Sequence, residues 1–550
     1  MIRVPRFWLT TVLFGLTAIV LIGFISSSDR YFYIKKNFTI FSEVYEEVSE
    51  SYVSEVDPQT LMRNGINAML ESLDPYTVLV DETESRRMDE MTTGQYAGVG
   101  LEIGARNGKL VVIAPIEGYS AHRKGIRAGD IIVEIDGLSA EGMSSDDLQG
   151  LLRGEPDTTV ELIVERYGID QQLEFELTRE TIEVTNVKYS GFLEHEGSER
   201  IGYIVLNRFA QNAAEEIRDA INDMQEEQEL DGLVLDLRNN PGGLLNEAVN
   251  VVDLFVEPGV EIVSTQGRGA NDDSSYESSD VPVFADKPLV VLQNSGSASA
   301  SEIVTGAIQD LDRGLVFGER SFGKGLVQII RPLSYNMALK ITTSKYYTPS
   351  GRSIQSLEFV DEEDSEQADI QDEDRNPFET RSGRTVYESI GIEPDIKVEE
   401  PEESMVELTL LQESRYFFFA NQFYSENEEY TTLSDDIFSE FKDYLEEEGF
   451  TFQTRGQKHY DEFVSKLDDQ VTERASAELA SLEAVISEEQ EKQFDERKEA
   501  IQARLHEELI SRFDGEDGRM KAAIETDRVI NTTLEYLTDL EKYYQLLEVE

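Results

Sequence analysis

The sequence predicts an α/β multidomain protein, and three observations carry that expectation. Between residues 184 and 397, apolar strand-like runs alternate with helical ones. Residues 91–183 are instead short β-rich runs broken by glycine turns, and the flanking stretches 30–90 and 398–550 have helical spacing. At 550 residues the chain is too long for one core and predicts roughly three or four domains.

The N-terminal segment, residues 1–29, opens with MIRVPR and continues with the uncharged run Phe7–Ile25. Nineteen residues at a helical rise of 1.5 Å span about 28 Å, close to the thickness of a bilayer core. Arg3 and Arg6 before the run predict an N-terminus held inside and a bulk exported. A retained anchor is the favoured reading. Small residues at Ser26 and Ser28 leave a cleaved signal peptide as the alternative.

Residues 30–90 read as helical, with apolar spacing in FSEVYEEVSESYV and LMRNGINAMLESL and a turn at Asp74–Pro75. The 91–183 module contains YAGVGLEIG, KLVVIAPI, AGDIIVEIDG, TTVELIVERYG and QQLEFELTRE as strands. One helix, SSDDLQGLLRG, interrupts them with Ser144 or Ser145 as its N-cap. In the 184–397 core, RIGYIVLNRF, GLVLDLR and KPLVVLQN read as strands, and AAEEIRDAINDMQ and LNEAVNVVDLF as helices. Residues 357–379 are too charged and aperiodic to pack and read as a loop or disordered insertion. The 398–550 extension is helical, most clearly over SAELASLEAVISEEQEKQFDERKEAIQARLHEELI.

Charge limits the function. Lys and Arg number 49 against 111 Asp and Glu, a net charge of −62. The last 150 residues hold 15 basic and 39 acidic groups, so the acidity is spread along the chain rather than kept in a tail. Nucleic-acid binding wants a basic footprint and is excluded as the leading reading. The uniform excess is that of a protein adapted to high salt or of an ordinary acidic one. With no cysteine, neither disulfides nor thiolate metal sites are available, and no metal-ligand spacing is visible.

The chemistry centres on NSGSASASEIVTGA, which places serines at 295, 297, 299 and 301. Residues this small at a strand-to-helix turn imply close approach of backbone. A serine needs a base to become a nucleophile at neutral pH. The four histidines, His122, His195, His459 and His506, fall in no obvious α/β catalytic loop, although His195 stays a candidate. The other available base is Lys324, flanked by Gly323 and Gly325 and read as part of an apolar strand. Burial disfavours an ammonium and leaves an amine able to take a proton. Gln328, polar within LVQII, is placed to orient that amine. The spacing alone does not choose among Ser297, Ser299 and Ser301.

The ordered series LRNNPGGLL, NSGSASASE, FGKGLVQ, TTSKYYTPSGRSIQ and GIEPDI resembles the carboxyl-terminal processing proteases, serine peptidases with a Ser/Lys dyad. The resemblance runs from about residue 40 to 397 and includes LDPYTVLV. It also covers YAGVGLEI, KGIRAGDIIVEIDG and LLRGEPDTTVEL, which look like a PDZ domain. It implies a protease core of crotonase-like type, with Ser299 as nucleophile, Lys324 as general base and Gln328 as orienting partner. The implied oxyanion donors are the N–H of Ala300 and one from Gly242 or Gly243, with Gly242 favoured. In the PDZ-like module, Ala97, Gly98, Val99 and Gly100 are implied to hold a peptide carboxylate. No metal or cofactor is implied.

The expected partners are proteins or peptides with accessible C-termini, and the expected place of work is the periplasmic side of a bacterial envelope. The C-terminal helices are candidates for assembling copies of the chain or binding an adaptor. The competing reading is a non-catalytic scaffold that only binds C-terminal peptides.

Overall fold

The computed structural model describes residues 31–547 apart from 196, 270–272, 356–374, 400, 469–470 and 472–473. The run Phe7–Ile25 and most of the acidic insertion lie outside the described residues. Among the described residues no helix is long and apolar enough to cross a membrane.

Residues 31–82 together with 328–342 form one compact unit. It is helical over 31–51 and over Pro58–Glu71. Asp57 caps the second helix by accepting from the Gln59 and Thr60 N–H groups, and Pro58 at the first position has no N–H needing a partner. The expected turn follows, with Asp74 Oδ1 accepting from the Tyr76 and Thr77 N–H groups at 2.8 Å each. The chain then enters a short strand, Val78–Val80, which pairs antiparallel with 338–340.

The second unit comprises residues 83–327 and 343–550. Its first part is an antiparallel sheet in the order Leu101–Arg106, Lys109–Pro115, Ile131–Ile135, Thr159–Glu165, Leu173–Thr178. Alternate residues such as Ile103, Val112, Ile132, Leu162 and Leu177 point into one core with Leu148 and Leu152 of the helix Ser145–Leu152. Ser144 is the N-cap: its Oγ accepts from the Asp147 N–H, and the Asp147 carboxylate accepts from the Ser144 N–H. Leu101–Arg106 is the sheet's edge strand.

The second part is a six-stranded sheet ordered Val187–Phe192, Ile201–Leu206, Gly232–Asp236, Leu289–Gln293, Leu315–Gly318, Ile396–Lys397. The first pair is antiparallel and the other four pairs are parallel. Both faces are covered, which is why its strands read as continuous apolar runs rather than alternating ones. Ile204, Leu206, Leu233, Leu235 and Val291 meet the helices Ala213–Glu227, Leu245–Asp253 and Ala300–Asp310. Tyr203, Val205, Val234, Val290 and Leu292 point the other way, onto Val529, Ile530, Leu537 and Tyr543. The C-terminal helices therefore cover the second face of this sheet. The Tyr543 hydroxyl sits within hydrogen-bond reach of both the N–H and the carbonyl of Leu289.

Three details differ from the sequence expectation. Lys324 lies in the loop before the strand Leu326–Pro332 rather than within it, since the flanking glycines favour a turn there. The end of the expected loop 357–379 is ordered, because Pro377–Glu379 pairs antiparallel with Thr385–Tyr387. The long helical run of the extension breaks at Arg497 into Ser476–Glu496 and Lys498–Thr526, and the latter is kinked at Gly515 with φ of 68°.

The extension has an aromatic core of its own, built from Phe419, Phe423, Phe441 and Tyr444 with Leu505 and Leu509. It also grips the antiparallel module. Asn107 Nδ2 donates to the Glu413 carbonyl at 3.0 Å, and Arg127 lies 5.9 Å from the Tyr424 ring centroid. Gly129, at φ of +90°, leaves no space for a methyl group, which would meet Asn421 Cγ at 2.3 Å. Asn421 is itself pinned, its Oδ1 accepting from Arg512 Nε at 2.8 Å. Gly129→Ala should therefore destabilise the chain by about 1–3 kcal/mol from overpacking and left-handed strain. Adding Asn421→Ala should relieve the overpacking but give up the Arg512 bond, so that the double variant regains only part of the loss. Thermal denaturation of the single and double variants checks this, and an unchanged Tm for Gly129→Ala would refute the tight docking.

Candidate active site

The strand Leu289–Gln293 ends at the serine-rich turn, and the four hydroxyls have different fates. Ser295 is exposed. Ser297 is fully buried and donates to the Leu237 carbonyl at 2.8 Å while accepting from the Asn294 N–H at 3.0 Å. Ser301, also fully buried, donates to the Asn240 carbonyl at 2.8 Å. Both are fasteners between this turn and the LRNNPGG turn. Ser299 alone is half-buried, and its hydroxyl does not fasten the two turns together.

The backbone of Ser299 is unusual, with φ of 56° and ψ of −110° at the start of the helix Ala300–Asp310. Glycine adopts such angles readily, whereas a serine is strained there by about 1–3 kcal/mol. The turn is held down on every side. The Glu302 and Ile303 N–H groups donate to the Ser299 carbonyl at 2.9 and 3.0 Å, and the Ser299 N–H donates to Glu302 Oε2 at 2.8 Å.

Glu302 is fully buried and accepts four hydrogen bonds. Besides Ser299 it receives the Lys324 N–H at 2.9 Å, the Gly323 N–H at 2.6 Å and the Ser321 hydroxyl at 2.6 Å. One carboxylate oxygen thus accepts from the backbones of both Ser299 and Lys324. Burial pushes this carboxyl above its ordinary value of 4.5, against the four donors that pull it down. A second strut comes from the buried Tyr346, whose hydroxyl lies 2.5 Å from the Lys324 carbonyl and 3.1 Å from the Ser299 carbonyl. Gly323 and Gly325 flank Lys324 because other chain segments press on both. A Cβ would stand 2.6 Å from Ile390 Cγ2 at the first and 2.7 Å from Gln355 Cβ at the second.

The glycine turn after the strand Gly232–Asp236 lies against the serine turn. A Cβ on Gly242 would sit 2.6 Å from the Ala298 carbonyl oxygen and 2.8 Å from the Ala300 nitrogen, so no side chain fits. The Gly242 N–H already donates to Asn240 Oδ1 at 2.9 Å, and its carbonyl accepts from the Phe209 N–H at 3.1 Å. In a trans peptide the next N–H, that of Gly243, points opposite to that carbonyl. It meets no acceptor among the described residues. The Ala300 N–H opens its helix and by position has no intrahelical acceptor.

Other expected residues fall elsewhere. Gln328 belongs to the N-terminal unit, where Nε2 donates to Thr342 Oγ1 at 3.3 Å and Thr342 Oγ1 donates to Asp74 Oδ1 at 3.2 Å. Both ring nitrogens of His195 are occupied by the main chain of their own turn, Nε2 at Glu199 and Nδ1 at Gly197. Ala97 and Gly98 end a strand paired with Glu180–Glu183, and Val99 and Gly100 turn into the edge strand Leu101–Arg106. Among the described residues no cluster of His, Asp or Glu could hold a metal ion. Sequence reasoning missed Glu302 and Tyr346. The S-x-x-E spacing of Ser299 and Glu302 before an apolar helix is a capping signature and was a usable signal for the first; Tyr346 carries no local signal.

Three family models match the chain: peptidase family S41 over residues 200–361, a PDZ domain over 111–166, and a probable PDZ-protease C-terminal helical domain over 406–537. A carboxy-terminal-processing protease of Bartonella bacilliformis is 40% identical over 360 residues, covering 65% of this chain and 81% of that protein. A probable CtpA-like serine protease of Staphylococcus aureus strain COL is 33% identical over 322 residues, covering 58% of this chain and 63% of that protein. The solved structure of a photosystem II D1 C-terminal processing protease is 29% identical, covering 66% of this chain and 92% of that one, with a TM-score of 0.35.

Two outcomes follow from the struts. Glu302→Gln puts an amide N–H₂ among four donors, so at least one buried donor loses its acceptor at about 1–3 kcal/mol. Because the folded carboxyl titrates above its ordinary value, its stabilising contribution is complete below about pH 4 and is lost as pH rises through the raised value. The stability advantage of wild type over Glu302→Gln should therefore shrink with rising pH in thermal melts from pH 4 to 8; a widening gap would contradict the burial argument. Tyr346→Phe keeps the ring and removes one hydrogen bond of about 1 kcal/mol. It should lower kcat roughly fivefold to tenfold in a fluorogenic peptide assay, and an unchanged kcat would dismiss the strut.

Proposed function

This chain belongs to peptidase family S41, the carboxyl-terminal processing serine proteases with a PDZ domain, and we propose that it cuts polypeptides with Ser299 as nucleophile and Lys324 as general base. The observation carrying this reading is the partition of the hydroxyls. Ser297 and Ser301 are spent as fasteners, whereas Ser299 is half-buried, strained, and linked through Glu302 to the turn that carries Lys324.

The chemistry follows from those roles. The Lys324 amine takes the Ser299 hydroxyl proton as Oγ bonds to the scissile carbonyl carbon. Negative charge moves onto the carbonyl oxygen, where the N–H groups of Ala300 and Gly243 receive it. Gly243 replaces the sequence-favoured Gly242 as second donor, since the Gly242 N–H is already given to Asn240. The protonated Lys324 returns its proton to the leaving amine as the C–N bond breaks, and water then releases the acyl group by the same steps.

Substrate capture is assigned to the PDZ domain. Its edge strand Leu101–Arg106 is open to an added peptide strand, with the Val99–Gly100 turn receiving the terminal carboxylate. The run Phe7–Ile25 supports export and anchoring, with catalysis outside the cytoplasm.

Ser299→Ala and Lys324→Ala should each abolish cleavage of an unstructured, apolar-tailed protein, by at least about a thousandfold in rate, while leaving the fold intact. Mass spectrometry of the fragments together with circular dichroism reads both effects. Retained cleavage in either folded variant would reject the dyad.

A further inference from the structure

We propose that Asp527, in the C-terminal helical domain, is a positioning residue for the oxyanion turn and acts by clamping Arg238. This rests on the active-site reading given above. Arg238 stands between the strand Gly232–Asp236 and the turn Asn239–Gly243, so its orientation sets how the turn leaves the sheet.

The Arg238 guanidinium is filled from two sides. Nε and Nη2 face the buried Asp236 carboxylate, at 2.9 and 2.6 Å from Oδ2, and Asp236 also accepts from the Tyr203 hydroxyl at 2.7 Å and the Arg238 N–H at 2.9 Å. Nη1 pairs with Asp527 Oδ2 at 2.7 Å. Only 13% of the Arg238 side chain and 18% of the Asp527 side chain are exposed, so water does not replace either contact cheaply. Burial opposes the arginine's charge, yet the two carboxylates more than offset it and hold the group above its ordinary value. A planar fork engaged at both ends has one orientation.

Asp527 is a rigid anchor. Its Oδ1 caps the helix Arg528–Leu537 by accepting from the Ile530 N–H at 3.0 Å. Val529 and Ile530 of that helix are buried against Tyr203 and Val234 of the sheet. A residue nearly 290 positions downstream therefore fixes the guanidinium from which the donor-bearing turn departs. The C-terminal domain thereby gains a part in transition-state binding as well as in packing. The PDZ groove lies in another region of the fold and makes no use of this pair.

The test uses the full chain with Asp527→Asn, which keeps a capping oxygen for Ile530 but removes the charge facing Arg238, and with Asp527→Ser as a second capping variant. Each should lower kcat about tenfold to a hundredfold, with KM for an apolar-tailed peptide within about twofold of wild type. Affinity for a peptide aldehyde, whose adduct with Ser299 carries an oxyanion, should fall by the same factor, while affinity for a non-cleavable tail peptide stays unchanged. Unchanged kcat and aldehyde affinity in both variants would overturn the proposal. So would a loss that merely tracks the folded fraction and weakens aldehyde and tail peptide alike. Ser299→Ala in parallel separates the two levels. If it still cleaves, the active-site reading fails; if it is inactive while Asp527→Asn is fully active, only the positioning role fails.

Discussion

The buried carboxylate of Glu302 is the constraint on which this active site depends. It accepts from the Ser299 N–H and from three donors on the turn that carries Lys324. Two segments 25 residues apart are thereby joined through one side chain before any substrate arrives. Placing a carboxyl in a fully buried position is costly, and the four donors offset part of that cost. The result is a preorganised pair of turns, in which the entropy of bringing the Ser299 and Lys324 backbones together is settled on folding.

The strain at Ser299 fits the same logic. A serine in a glycine-like conformation is tolerated only when its surroundings over-determine it, and here its carbonyl, its N–H and both neighbouring serines are all bonded elsewhere. The glycines opposite play the complementary part. At Gly242 a side chain would overlap the serine turn itself, so the two loops can approach to backbone contact. Close approach, rather than flexibility, is what the small residues of both motifs provide.

Much of this was legible in the sequence, for identifiable reasons. The strands Ile201–Leu206, Gly232–Asp236 and Leu289–Gln293 were visible as uninterrupted apolar runs, since a sheet covered on both faces needs no alternation. A cap at Ser144 or Ser145 was visible because capping is a local signal, and the structure chooses Ser144. What escaped was non-local. Nothing in the acidic tail shows that Val529, Ile530 and Tyr543 would close the second face of a sheet begun at Val187. The break of the long helical run at Arg497 carries no proline or glycine to announce it. Lys324 was misplaced into a strand because apolar neighbours outweighed its flanking glycines. The choice among the serines was out of reach, because it is made by bonds to Leu237 and Asn240, some 60 residues away.

The order in which these parts occur along the chain has a consequence for biosynthesis. A polypeptide emerging from the ribosome or threading through a translocation pore presents Ser299 well before Tyr346 and the last sheet strand, Ile396–Lys397, and long before the helix that begins at Arg528. Until those segments arrive, the Ser299 carbonyl lacks its tyrosine partner, and the sheet lacks one edge and one cover. The turns around Ser299 thus reach their folded arrangement only after the C-terminal segments have been made.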